Sequence, residues 1–450
     1  VVEVDCAQDS SATIEGAVAC VADEWLVPAS AQVVPPAVDD AFHEAKPETA
    51  DERARRRRVT GLVFLTVFID FLGLGVLLPV TPFLVARFED GALAVGVLSA
   101  AFALSQFVAT PVLGAMSDRL GRRPVLIFSL IGSAIGYGVL GLAGALWVMI
   151  VARVVDGVTG ANVSTAQAAL ADITPSAKRS RAFALIGVAV GLGFVMGPAL
   201  GGVLAERVSL TSPVFVAGGL SLLAGVFAWF ALPETLTSAR RRRGALTSRE
   251  VNPLAHIGSA WRVPSVRWAV LALLCAGVPF AALSSNLGVY VGRVFSMGPK
   301  DAAMLLTWMG VVMMVMQGVV VRRLSGRIDD RVLATAGLVL FGVGLLVIAF
   351  VPPPGWWGLY VGIGLFAAGH GLCSPTLTGV VSRAVDERAQ GSVLGVATGL
   401  LSLTRVVGPL LAGVLFDHLS PGSVYWSGAV WVVVALVMAG MGMRGNVAKY

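Results

Sequence analysis

Charge is what this chain has least of. Asp, Glu, Lys and Arg make up 13% of its 450 residues, about half the ~25% usual in soluble domains. With 56% hydrophobic residues and a mean hydropathy of +0.82, there is too little polar surface to cover a single buried core, which excludes a water-soluble globule. Cysteine is scarce too. Cys6, Cys20, Cys275 and Cys373 have no metal-ligand spacing, and two of them lie in apolar stretches, so neither a disulfide framework nor a metal site is expected. There is no His-rich cluster, no phosphate-binding glycine loop after a strand, and no Ser/His/Asp arrangement in a polar domain, which argues against an enzyme. The longest polar segments, 1–50 and 233–267, are too short for an active domain or a nucleotide-binding domain. A membrane enzyme or receptor stays a remote reading.

What fills the chain is long apolar blocks. Each crosses a ~30 Å hydrocarbon core only as a helix, because the backbone must satisfy its polar groups within the segment. Predicted spans are 60–85, 92–113, 124–143, 146–170, 182–204 and 212–232, then 268–290, 302–321, 332–351, 357–381, 391–415 and 424–443. The 53 glycines suit close helix packing in a bilayer. Residues 1–58 read as an acidic, disordered tail with a basic stop, Arg53 and Arg55 to Arg58. The apolar stretch Ala17–Val27 has no basic region before it and does not read as a signal peptide. Residues 233–267 form a polar linker between 59–232 and 268–444.

The net charge of +6 would raise nucleic acid as a partner of a soluble protein. Here the basic residues sit in short loops, so no nucleic acid is expected. With the N-terminus inside, 26 of the 33 lysines and arginines fall on the inner side and four on the outer, which predicts both termini in the cytoplasm. An internal repeat supports two halves: Gly197-Pro198-Ala-Leu-Gly-Gly-Val-Leu recurs 211 residues later as Gly408-Pro409-Leu-Leu-Ala-Gly-Val-Leu. The expected fold is an all-α membrane protein of twelve transmembrane helices in two pseudo-symmetric six-helix bundles.

The loop after the second span reads Gly114-Ala-Met-Ser-Asp-Arg-Leu-Gly-Arg-Arg-Pro124. Gly114 and Gly121 allow a tight turn. Asp118 can face the N-terminus of a neighbouring helix, and Arg119, Arg122 and Arg123 can pair with carboxylates or lipid phosphates. A purely topogenic basic loop would leave Asp118 and the paired glycines unexplained. Arg153 opens Arg-Val-Val-Asp-Gly-Val-Thr-Gly160 in the fourth span, and Gly187 to Gly202 form a glycine-rich run around Pro198 in the fifth. The first span carries Ile69-Asp-Phe-Leu-Gly-Leu-Gly-Val-Leu-Leu-Pro-Val-Thr-Pro82, and Pro233-Glu234-Thr235 follows the sixth. Over about 59–444 these motifs resemble the major facilitator superfamily, and within it the drug:proton antiporters that include the tetracycline-efflux pumps.

The resemblance implies a secondary transporter working by alternating access. Its partners would be the lipid bilayer, a small-molecule substrate and protons, with no cofactor, the proton gradient as energy source, and a monomer in the cytoplasmic (inner) cell membrane. It implies that the Gly114–Arg123 loop bridges the halves in the outward-open state, against the eleventh span near Gly391-Ser392. It implies an antiporter motif at Gly191, Gly197, Pro198, Gly201 and Gly202, for which ordinary close packing is the competing reading. The resembling tetracycline pumps carry an acidic residue at the positions of Gly136 and Phe341, so tetracycline–metal chelates are not the expected substrates. Import or facilitation of a metabolite in the same fold stays open.

Ionisable residues deep in a span are functional candidates. Asp70, Arg153, Asp156 and Arg405 qualify, with His370 beside them. Desolvation favours a protonated carboxyl group and a nearby guanidinium favours the ionised form, so Asp70, Asp156 and a mobile Arg153 are read as the proton-coupling set. Alternatively Arg153 and Asp156, one helical turn apart, are a self-neutralising structural pair. Arg405 would bind an anionic substrate group or snorkel outward. His370 reads first as a polar packing residue. Gln106, Asn162, Gln167 and Gln317 would line the cavity or bond between helices.

Overall fold

A computed structural model describes residues 49–160, 162–175, 179–237, 239, 241–242, 244, 264–384 and 387–444. The expected tail before residue 49, with Cys6 and Cys20, and most of the linker, with Arg240 and Arg243, lie outside them. Arg55–Tyr450 is one compact unit; of Val1–Ala54, the described residues are the start of the first helix. The helices are α1 (Ala50–Leu77), α2 (Ala92–Leu120), α3 (Arg122–Gly141), α4 (Leu146–Ile173, broken at Gly160), α5 (Arg179–Arg207) and α6 (Ser212–Ala231), then α7 (Pro264–Phe295), α8 (Pro299–Leu324), α9 (Asp330–Phe350), α10 (Trp356–Arg383), α11 (Glu387–His418) and α12 (Ser423–Arg444). A short helix, Thr81–Val85, follows α1.

Eleven of these are long and apolar enough to cross a membrane. The other, α10, is a 28-residue helix whose run is diluted by Tyr360, His370, Ser374 and Pro375. Two boundaries depart from the sequence reading for the same reason. The arginines expected as a stop before α1 form its first turns, and α2 runs on to Leu120, absorbing Gly114. A helix already nucleated extends into polar sequence at small cost per residue, and Arg is a good helix former. The turn therefore falls on Gly121 alone, at φ 115°, where an L side chain would be strained. In α8 the helix widens into a π-turn over Met316–Val321, which holds Gln317.

The two six-helix bundles pack by side chains within each half and by contacts of α2 with α11 and α5 with α8 between them. Those contacts lie away from the Gly114–Arg123 loop. Gly96 meets the Pro409 backbone, Gly413 meets Leu93, Gly202 meets Ala303, and Gly288 meets Pro82. We call this the far end, and the end holding the Asp118–Arg123 loop the basic end. Charges fasten the far end. Asp417 accepts from the backbone N–H of Ala92 (3.0 Å) and Leu93 (2.8 Å), Arg293 pairs with Asp90 at 2.6 Å, and Lys300 pairs with Glu206 at 2.9 Å. A cavity of about 310 Å³ beside Asp90 and Arg293 belongs to this end.

Candidate functional site

The middle of the first bundle is assembled around α4. Gly136 of α3 has no side chain to hold α4 away: a Cβ there would stand 2.9 Å from the Asp156 Cβ and 3.1 Å from the Ala152 carbonyl. Asp156 is thereby pressed into α3 and is 3% exposed. Arg153, three residues earlier on the same face, donates to Asp156 at 2.6 Å, and its guanidinium lies 4.2 Å from the centre of the Phe102 ring. Ser133 reaches the Asp156 carboxylate and Tyr137 reaches Arg153. In this structure the pair is closed, the contact that one turn of spacing allows.

Asp70 is held differently. Its carboxylate accepts from the Asn162 amide at 2.8 Å, a neutral group, and it lies near enough to Asp156 to feel that charge. Asn162 is 1% exposed and starts the second segment of α4, after the break at Gly160. Gln106 of α2 donates to the Gly160 carbonyl at 2.8 Å, satisfying backbone that the break leaves open. Two of the four candidate amides thus bond between helices, to Asp70 and to the α4 break. The other two, Gln167 and Gln317, are exposed.

The basic loop is tied to its own half. Asp118 pairs with Arg122 at 2.6 Å, rather than facing the start of α11. Arg122 also meets Asp172 at 3.0 Å and Ser117 at 2.6 Å, while Arg119 donates to its own helix at Ala115 and to the Gly244 carbonyl. Arg123 donates to the Trp229 carbonyl. The anion at the N-terminus of α3 is Glu234, which accepts from the Arg122 N–H at 2.9 Å, as the dipole there favours. The Pro233-Glu234-Thr235 motif carried this signal in the sequence.

In α5 the glycine run packs within the first bundle. A Cβ on Gly197 would lie 2.7 Å from the Gly75 Cα, and one on Gly201 would lie 2.3 Å from the Val76 carbonyl oxygen. Gly193, not singled out from sequence, packs on Phe71 and Leu72 in the same row, whereas Gly191 faces open space. Gly202 is turned to the other bundle and α8. Pro198 is inside α5, against Gly75.

Among the described residues the second bundle has no acid at the matching depth. Phe341 is fully buried, with its ring 4.7 Å from Phe366 and 5.6 Å from His370. His370 stacks on Phe280 at 4.1 Å. Arg405 of α11 is exposed. No group of three or more His, Cys, Asp or Glu that could hold a metal occurs among the described residues.

This architecture agrees with the comparisons. The family model described as Major Facilitator Superfamily matches residues 63–334 and 312–446. The class C tetracycline resistance protein of Escherichia coli is 33% identical over 82% of this chain and 92% of its own. Multidrug resistance protein 2 of Bacillus subtilis is 28% identical over 79% of this chain and 88% of its own. The crystal structure of the human organic anion transporter MFSD10 superposes with a TM-score of 0.65 at 25% identity, covering 85% of this chain and 99% of that one. Helices, motifs and relatives agree: the chain is a transporter, not an enzyme, and belongs to the major facilitator superfamily.

Proposed function

We propose that the protein is a proton-coupled antiporter that exports small, fairly hydrophobic compounds by alternating access. The observation that carries this reading is Asp70, an acid within the apolar stretch of α1 whose partner is the neutral Asn162. A carboxyl group held by an amide tolerates both protonation states, whereas Asp156 is already neutralised by Arg153. The tetracycline and multidrug resistance names of the relatives support export. No cofactor is needed beyond the proton gradient, and the working form would be a monomer.

The excess of Lys and Arg in loops at the basic end supports placing that end, and both termini, in the cytoplasm of a cell bounded by this inner membrane. With that orientation the contacts at the far end close the outer side, and the structure is an inward-facing state. The Gly114–Arg123 loop would then bridge the halves only in the opposite state, which accords with Asp118 pairing within its own half here. The Asp70, Arg153 and Asp156 set would couple protons, with Gln106 and Asn162 holding its backbone and geometry.

The test is drug susceptibility in a pump-deficient host together with proton release from energised vesicles. Wild-type protein should protect and Asp70→Asn should not, at equal expression. If Asp70→Asn still exports against a gradient driven by protons, Asp70 is not the coupling site. If wild type protects against nothing yet accumulates a metabolite, the chain is an importer or facilitator.

A further inference from the structure

We propose that the second bundle carries an anion-binding subsite centred on Arg405 and flanked by the stacked Phe280–His370 pair, so that planar organic anions, aromatic carboxylates or sulfonates, are among the compounds carried. This rests on the export reading for its transport arm, but not for its binding arm.

Arg405 lies thirteen residues before the end of α11 and eighteen after its start, roughly 20 Å and 27 Å from the two ends at ~1.5 Å per residue. Both distances exceed the reach of its side chain, so it cannot snorkel to either end of α11. Among the described residues it has no hydrogen-bond or ion-pair partner. The acids of comparable depth are engaged elsewhere, Asp156 by Arg153 and Asp70 by Asn162. An arginine in a bilayer without a counter-ion is costly, and a fork of five donors is suited to a bidentate carboxylate or sulfonate.

The helical wheel shows where it points. At 100° per residue, Pro409 and Gly413 lie within about 80° of Arg405, and they are the positions that meet α2 of the other bundle at Gly96 and Leu93. On the other flank, Thr404 and Gly408 meet α7 at Gly277 and Val278. Val407 and Val414, 47% and 41% exposed, lie on the opposite side of the wheel and mark the lipid face. Arg405 therefore lies on the side of α11 turned towards α2 and α7, one turn before the Pro409–Gly96 contact.

An aromatic slot stands at the same level. The Gly277–Thr404 and Gly408–Ala281 contacts place Phe280 of α7 beside the 404–408 turn of α11. Phe280 and His370 stack at 4.1 Å with rings 17° from parallel, both are only half-buried, and the buried His370 Nδ1 has no partner. A flat ring extending the stack would bring an acidic substituent towards Arg405.

Two dyes of one ring system separate charge from shape: fluorescein, an anion, and rhodamine 6G, a cation. Binding is read by fluorescence anisotropy on purified full-length protein. Fluorescein should bind wild type, lose at least tenfold in affinity in Arg405→Gln, and recover in part in Arg405→Lys, while rhodamine 6G should bind Arg405→Gln at least as tightly as wild type, because a like charge beside it is gone, which also certifies the fold. Phe280→Ala should weaken both dyes. Equal fluorescein affinity in wild type and Arg405→Gln, or no fluorescein binding to wild type, overturns the subsite. Vesicle transport distinguishes the two readings. Arg405-dependent binding without movement of either dye keeps the subsite and removes export. Rhodamine 6G export without Arg405-dependent fluorescein binding keeps export and removes the subsite.

Discussion

Asp417, at the end of α11, accepts a hydrogen bond of 2.8 Å from the backbone N–H of Leu93, at the start of α2 in the other half. The same carboxylate takes the Ala92 N–H at 3.0 Å and lies 3.7 Å from Arg293. An anion at a helix N-terminus is worth about 0.3–1 kcal/mol. Here that energy belongs to one conformation, because opening the far end separates α2 from α11.

Asp417→Asn should therefore shift the population away from the far-end-closed state by about two- to fivefold. A Glu206→Cys/Lys300→Cys pair, built where Glu206 and Lys300 now touch at 2.9 Å and in a background without the native cysteines, reports it with a short thiol cross-linker. Lower cross-linking yield in Asp417→Asn is the expected result. An unchanged yield would mean that the Asp417 contacts do not help to hold the far end closed.

The glycine row of α5 should be intolerant at some positions and indifferent at others. Gly197→Val and Gly201→Val each place a side chain against α1 backbone, and overpacking of this kind costs about 1–3 kcal/mol. Gly191→Ala faces open space and should leave thermal stability in detergent unchanged. A large loss at Gly191 would show that this glycine is needed in another conformation.

Arg153 and Asp156 should behave as a unit. Asp156→Asn leaves a buried guanidinium without its partner and should cost about 3–5 kcal/mol, seen as lost folded protein in size-exclusion chromatography. The apolar double variant Arg153→Met/Asp156→Leu should recover most of that stability. If the double variant also transports with normal proton coupling, the pair is structural and Asp70 couples alone. If it folds but is uncoupled, the pair takes part.

Gly136→Asp should not create a tetracycline pump. The new side chain would overlap the Asp156 Cβ, 2.9 Å from the first added atom, and would set a second carboxylate against Asp156. Lower melting temperature and no tetracycline protection are expected. Gly136→Ala should show a milder loss of stability.

The sequence carried the helices and the pairing of Arg153 with Asp156, because both depend on neighbours in the chain: apolar runs for the first, one turn of spacing for the second. It did not carry what binds Asp70, since Asn162 lies 92 residues away and is brought up by a break in α4 that a hydrophobic profile does not register. A glycine-rich run does not reveal which side of its helix meets α1, so nothing in the sequence separates Gly193, which packs there, from Gly191, which does not. Gly114 has the look of a turn residue in the sequence although the helix runs through it, since glycine signals a stop only where the backbone needs it. The Asp417 and Arg293 fastening was invisible for the simplest reason: its members look like ordinary loop charges until two halves of the chain are laid side by side.

Those fastening charges are accessible from the medium: Arg293 and Lys300 are 35% and 41% exposed, and Asp90 and Glu206 more so. Dissolved ions screen such attractions over about 8 Å at physiological strength and over much less in brine. The shape that the molecule adopts at rest is thus partly written by the solution on one face of the membrane. Turnover measured in dilute buffer and in concentrated salt should differ even when the driving gradient is the same.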